Sequence, residues 1–284
     1  MASIEGFRAI SQVAPLQSLR PDSRTEIAQC VECGMQFEQT IYVRRDGTDV
    51  PPDPRCDVCA SVCERKWKAE ELKYEVAEAD ARQRQMWRDS CGLGEMFKGK
   101  RFESFEPKLQ PAAYKAVHGW NGKSLILASP GTYGVGKTHL VAALAYRLIE
   151  SSDAAIAAQG AVVRLPRPVI FTTEQRLLGR IRATFDNGAA ENDEMIYMEL
   201  ERIRLLIVDD VGKLRPRDPS FLQQVWYRVI DARYTAQRPI ILTTNLRPVE
   251  LEQHIGGAAA DRLTEMCGHA GFIDMKGESY RRGK

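Results

Sequence analysis

The run Gly131-Thr132-Tyr133-Gly134-Val135-Gly136-Lys137-Thr138 constrains this chain more than any other feature. It fits G-x-x-x-x-G-K-[ST], follows the apolar stretch Leu125–Ala128, and opens an Ala- and Leu-rich segment, Lys137–Glu150, that reads as a helix. Strand, glycine loop and helix in that order give the motif its meaning. The glycines let backbone N–H groups turn inward and approach phosphate oxygens closely. The start of the helix adds unsatisfied donors and a favourable dipole. Lys137 is placed for the β- and γ-phosphates, and Thr138 can ligate Mg²⁺. Residues Gly131 through Thr138 are therefore the expected ligands of a nucleoside triphosphate.

A second half is expected at Leu205-Leu206-Ile207-Val208-Asp209-Asp210. Four apolar residues make a buried strand, and two carboxylates emerge at its C-terminal end, the edge where parallel sheets bind ligands. Asp209 would hold the metal and Asp210 would polarise the attacking water. A capping or turn role is the plainer alternative for the pair. Val169–Thr173, Pro239–Thr244 and Gly271–Met275 read as further strands, separated by helical segments Glu174–Phe185, Glu191–Arg202 and Pro219–Thr235. Strands alternating with helices imply an α/β fold with a buried parallel sheet and flanking helices. Ser151–Pro168 is Ala-rich and unpatterned, and reads as a surface insertion.

Upstream, five of the seven cysteines fall between Cys30 and Cys63. Cys30-x2-Cys33 and Cys56-x2-Cys59 form two knuckles suited to a tetrahedral Zn²⁺ with four thiolates. Cys63, one helical turn beyond Cys59, is an alternative fourth ligand; free thiols or a redox pair are the plainer reading. The divisions expected are an arm over 1–29 (partly disordered or briefly helical), a zinc module over 30–63, a polar helical linker over 64–100 and an ATPase domain over 101–284. The formal charge of +2 argues neither for nor against nucleic acid. No secretory signal is evident, and no apolar run approaches the roughly 20 residues that cross a bilayer, so a cytoplasmic protein is expected.

The ordered set of the Gly131 loop, Leu205–Gly212, Pro239–Asn245 and Asp261-Arg262-Leu263 resembles the AAA+ ATPases of the DnaC/DnaI helicase-loader and IstB-like group. Arg101–Phe105 and the ending Gly277–Arg281 resemble it as well, so the likeness spans residues 101–284. It implies a P-loop AAA+ domain lacking a helical lid, using ATP and Mg²⁺. It implies that Asn245 is the sensor near the γ-phosphate, that Arg262 is an arginine finger serving a neighbouring subunit in a homo-oligomer, and that Arg281 is the second sensor. Phe102 and Phe105 would lie near the base or serve as core anchors. Asp210 stands where many AAA+ proteins carry Glu, which implies slower turnover. The likeness also implies a single-stranded DNA channel element within Glu174–Leu200, where Arg176, Arg180 and Arg182 form a basic strip or an ordinary solvated face. Zinc-bearing N-terminal domains of DnaI-type loaders dock on a hexameric replicative helicase, whereas IstB-type helpers usually lack such knuckles. The readings are a helicase loader, a transposition helper ATPase, or a zinc-bearing nucleotide-switch adaptor without significant hydrolysis.

Overall fold

The computed structural model describes residues 19–185, 190–215 and 219–280. The chain divides into two units, Met1–Glu75 and Val76–Lys284.

In the first unit, β1 (Leu19–Gln29) pairs antiparallel with β2 (Gln36–Arg44), and the long helix α1 (Asp57–Ser90) begins. A strand therefore occupies 19–29, where the sequence suggested a disordered or helical arm. The six residues between the strands form the first cysteine knuckle. Gly34, at φ 76°, allows its N–H to reach the Cys30 carbonyl at 2.9 Å, and Cys30 N–H reaches Met35 O at 2.9 Å. The buried apolar residues described here are Cys30, Ile41 and Cys56. So small a core cannot hold a unit of this size on hydrophobic burial alone.

The second unit contains α2 (Pro111–His118), β3 (Leu125–Ala128), α3 (Lys137–Ser151), β4 (Ala155–Ala158), β5 (Ala161–Arg164), β6 (Val169–Thr173) and α4 (Glu174–Ala183). There follow α5 (Asp193–Arg202), β7 (Leu205–Val211), α6 (Pro219–Thr235), β8 (Ile240–Thr244), α7 (Pro248–Ile255), α8 (Gly257–Cys267) and β9 (Phe272–Asp274). One five-stranded sheet runs β6-β7-β8-β3-β9, and every pairing in it is parallel.

Alternation along each strand sends side chains to two separate cores. Leu125, Leu127, Val169, Phe171, Leu205, Ile207 and Ile241 pack with α2, α3 and Trp87 of α1. Ile126, Ile170, Leu206, Val208, Ile240 and Leu242 pack with the helices α4 to α8. The polar helix foreseen over 64–88 is the body of α1, whose surface is laced by pairs such as Lys68–Glu64 and Arg82–Glu78. Near its end, Asp80 accepts from Ala154 N (2.6 Å), and Arg84 donates to Ile149 O (3.0 Å) at the close of α3. The surface insertion is in fact structured. β4 and β5 make a hairpin turned by Gln159 and Gly160, both at positive φ, the geometry two-residue hairpin loops require.

Arg233 of α6 is wholly buried and faces no carboxylate. Its guanidinium donates to the carbonyls of Leu200 and Ile203 at the end of α5 and of Pro239 before β8. Burial lowers its pKa to about 9, still above neutrality, so it stays charged and caps the negative end of α5.

Candidate functional site

The phosphate loop leaves β3 at the C-terminal edge of the sheet and winds into α3. Gly131, Gly134 and Gly136 all take positive φ, at 72°, 78° and 101°. At Gly136 the requirement is also steric, since a Cβ would come within 2.6 Å of the Phe105 ring. Thr132, Tyr133 and Val135 occupy the intervening positions, with Tyr133 pointing outward and Val135 buried.

Lys137 is buried and donates to Ser129 Oγ and, at 2.6 Å, to Asn245 Oδ1. Asn245 ends β8, which lies directly beside β3, and that adjacency makes the contact possible. Thr138 Oγ1 sits 3.0 Å from each carboxylate oxygen of Asp209. Asp209 is also held by Thr243 Oγ1 at 2.5 Å. Burial pushes its pKa up to about 6 against these hydrogen bonds. A buried carboxylate beside a hydroxyl is a hard oxygen donor set of the kind Mg²⁺ takes together with phosphates.

Asp210 differs from its neighbour. Its φ is 59°, a left-handed conformation that Asp tolerates better than most residues, and the pairing of β7 with β8 shifts register across it. Its backbone N–H donates to Thr243 Oγ1 (2.9 Å), and its carboxylate accepts from Lys213 Nζ (2.5 Å). The side chain lines the same pocket as Lys137, Thr138, Asn245 and Tyr280. Phe105 also lines this pocket, whereas Phe102 is buried against Tyr114 and His118 and anchors the core.

Sequence reasoning treated Glu174 as the first residue of a helix and missed its place. It is 1% exposed. Its carboxylate accepts from Trp226 Nε1 (2.8 Å), His254 Nε2 (2.7 Å) and the backbone N–H of Gly212 (3.0 Å), two residues beyond Asp210. The only sequence signal was an acid following a strand that lies beside β7. Glu174→Ala leaves a buried indole N–H and a backbone N–H without partners, each costing about 1–3 kcal/mol. The expected result is a melting temperature lowered by several degrees, with turnover falling more than ATP affinity; Glu174→Gln should recover part of both.

Arg262, on α8, does not line its own chain's pocket. Asp231 holds it at 3.2 Å, and it lies over the rings of Tyr227 (4.9 Å) and Tyr234 (5.9 Å). Arg281 lies outside the described residues. Of the three arginines of α4, Arg180 is neutralised by Glu191 and Glu199, whereas Arg176 donates to Gly92 O and Arg182 covers the Phe221 ring, and neither meets a carboxylate among the described residues. The first unit brings Cys30, Cys33, Cys56 and Cys59 together with all four sulfurs within 4.8 Å of one another; Cys63 is outside this group. Cys33 Sγ and Cys56 Sγ are 3.8 Å apart, close to the ~3.8 Å edge of a tetrahedron with Zn–S bonds of about 2.3 Å. Burial raises the Cys30 thiol, but backbone N–H groups of Cys33, Cys56 and Glu32 outweigh it and lower the pKa to about 6. The cluster could hold a zinc ion.

A glycine loop, a lysine and paired aspartates meeting at one edge of an all-parallel sheet are the working parts of a P-loop nucleotide-binding domain. The family described as IstB-like ATP binding protein matches residues 116–284, more than half of the chain. The chain belongs to that family. It is 22% identical over 169 residues to the replicative helicase loader DnaC of Escherichia coli K12, covering 60% of this chain and 61% of that one. It is 30% identical over 192 residues to a Pseudomonas aeruginosa protein named for ATP binding in insertion sequence IS21, covering 64% of each. AMPPCP-bound DnaA from Aquifex aeolicus shares the fold at a TM-score of 0.50 and 16% identity, over 66% of this chain and 54% of that one. The chain spans from 54% to 73% of the length of curated relatives such as these. No helix among the described residues is long and apolar enough to cross a membrane.

Proposed function

We propose that the chain hydrolyses ATP and acts as a loader of a hexameric replicative helicase in the cytoplasm. The observation that carries the reading is the convergence of Lys137, Asn245, Thr138 and Asp209 on one edge of the sheet, in a chain whose other unit holds a four-thiol cluster. Lys137 would bind the β- and γ-phosphates, while the amides of Gly131–Thr138 surround them. Thr138 and Asp209 would hold Mg²⁺, which neutralises charge on the phosphates when bound. Asp210 would orient the attacking water, and Asn245 would align it near the γ-phosphate. Arg281 would act as second sensor. Cys30, Cys33, Cys56 and Cys59 would hold a structural Zn²⁺, giving the first unit a surface with which to grip the helicase, and single-stranded DNA would be a second partner.

Arg262 would act in trans as an arginine finger in a homo-oligomer. Arg262→Ala should then lower turnover about 10³-fold with ATP affinity retained. Mixing it with Lys137→Ala chains should restore part of the activity, because each supplies what the other lacks. Unchanged turnover in Arg262→Ala would remove the finger.

A second reading, a helper ATPase for DNA transposition, is supported by the higher identity to the IS21 protein. A third, a nucleotide switch without significant hydrolysis, is supported by the short Asp210 and its pairing with Lys213. Three measurements separate the three: ATP turnover with and without single-stranded DNA, capture of purified hexameric helicase by the full chain, and affinity for duplex DNA. Turnover together with capture is the loader result. Turnover with tight duplex binding and no capture points to transposition, and absent turnover leaves the switch.

A further inference from the structure

The edge of the sheet opposite the phosphate loop carries a pattern that the nucleotide site does not use. Lys123 stands two residues before β3, Arg167 two before β6, Arg204 one before β7 and Arg238 two before β8. In sheet order these make one cation per strand across four adjacent strands. Neighbouring strands lie about 4.8 Å apart. Continuing the Leu206↔Ile240 pairing back two residues puts Arg204 beside Arg238. Like charges side by side on a sheet weaken its pairing, so the Arg204–Arg238 juxtaposition exists against the interest of the fold.

The row is also largely uncompensated. Arg167 is taken up by Glu199 and the Ser90 carbonyl. Among the described residues, the side chains of Lys123, Arg202, Arg204 and Arg238 have no ion pair or hydrogen bond. Two adjoining grooves follow this edge, sharing Leu148, Arg204 and Arg238; Arg202 lines one, and the half-buried Trp120 lines the other. The carboxylates lining them are Asp153 and Glu199, and Glu199 is already engaged by Arg167 and Arg180. Beneath lies Arg233, buried and satisfied by carbonyls alone.

We propose that this groove binds the phosphodiester backbone of single-stranded nucleic acid. A line of fixed guanidinium groups matches a linear polyanion better than a compact anion. Guanidinium forks suit phosphate oxygens, and an aromatic ring in the groove suits an unpaired base. The inference rests on the reading that the chain engages nucleic acid, and it places a contact on the face away from ATP.

The test is fluorescence anisotropy of labelled oligothymidylate on the full chain across a salt titration. The wild type is compared with the triple variant Arg202→Gln, Arg204→Gln, Arg238→Gln and with the single variant Lys123→Glu. Losing three contacts should lower the slope of log K against log salt by about 2, at about 0.7 per contact, and weaken binding at least ~10-fold at low salt. ATP affinity, measured in parallel, should stay unchanged and reports an intact fold. If the triple variant does not fold, the exposed Lys123→Glu, with weakened binding, carries the test. Unchanged affinity and slope in the variants overturn the groove. So does polyglutamate competing as well as oligothymidylate, which would assign the groove to an acidic protein segment. A wild type that binds ATP but no oligonucleotide overturns the groove and leaves the ATP site standing.

Discussion

Lys137→Ala is expected to lower ATP turnover by at least about 10²-fold, the scale for removing a donor aimed at charge that grows in the transition state. ATP affinity should fall as well, by the 1.5–3 kcal/mol or so of a hydrogen bond to a charged group. The cause lies in placement. Lys137 is the first residue of α3, almost wholly buried, and its ammonium is directed by Ser129 on one side and Asn245 on the other. Among the described residues, Lys213, which lines the same pocket, is committed to Asp210. Melting temperature should change little, because the residue caps no helix and fills no core. Steady-state turnover and equilibrium nucleotide titration check the result, and retained turnover would end the proposal that this pocket performs hydrolysis.

Removing metal is expected to have the second large effect, confined to the first unit. With Cys30, Ile41 and Cys56 as the buried apolar side chains among the unit's described residues, those residues bring too little apolar area to offset the chain entropy of ordering the β1–β2 hairpin. Structural zinc sites contribute on the order of 10–16 kcal/mol at neutral pH. A strong chelator, or Cys56→Ser, should therefore abolish hydrogen-exchange protection across 23–44 while ATP affinity persists. Metal content, measured by mass, should be one zinc per chain and should be lost in Cys59→Ser but kept in Cys63→Ser, since Cys59 and not Cys63 joins the other three sulfurs. Protection unaffected by chelation would sink the structural role of zinc.

The parts of the molecule legible in the sequence were those whose signal is local. The phosphate loop, the buried strands and the two cysteine knuckles each fit within a dozen residues, and the structure forms strands and loop where the pattern put them. Strand β1 was not legible because its side chains over 23–29 face solvent; Ile27 is 73% exposed and gives no alternation to read. The β4–β5 hairpin hid behind small residues, with Gln159-Gly160 as its one turn signal. The pairing of Arg180 could not be read in advance, because Glu191 and Glu199 lie 11 and 19 positions beyond it and meet it only in the folded chain. The basic row on the far edge is likewise invisible until strand order and register are known. Arg281, expected as second sensor, falls outside the described residues.

The contacts of Glu174 bear on how this sequence can drift. The turn after Asp210 is held from a distance, by a side chain on another strand's exit, and not by its own local preferences. Lys213, Leu214 and Arg215 are thus open to change so far as that anchor is concerned. Positions 174, 226 and 254 are not independent: a shortened residue at 174 strands both the indole and the imidazole. Substitutions among these three should be tolerated as a set and punished singly, a pattern of covariation between residues up to 80 apart in the chain.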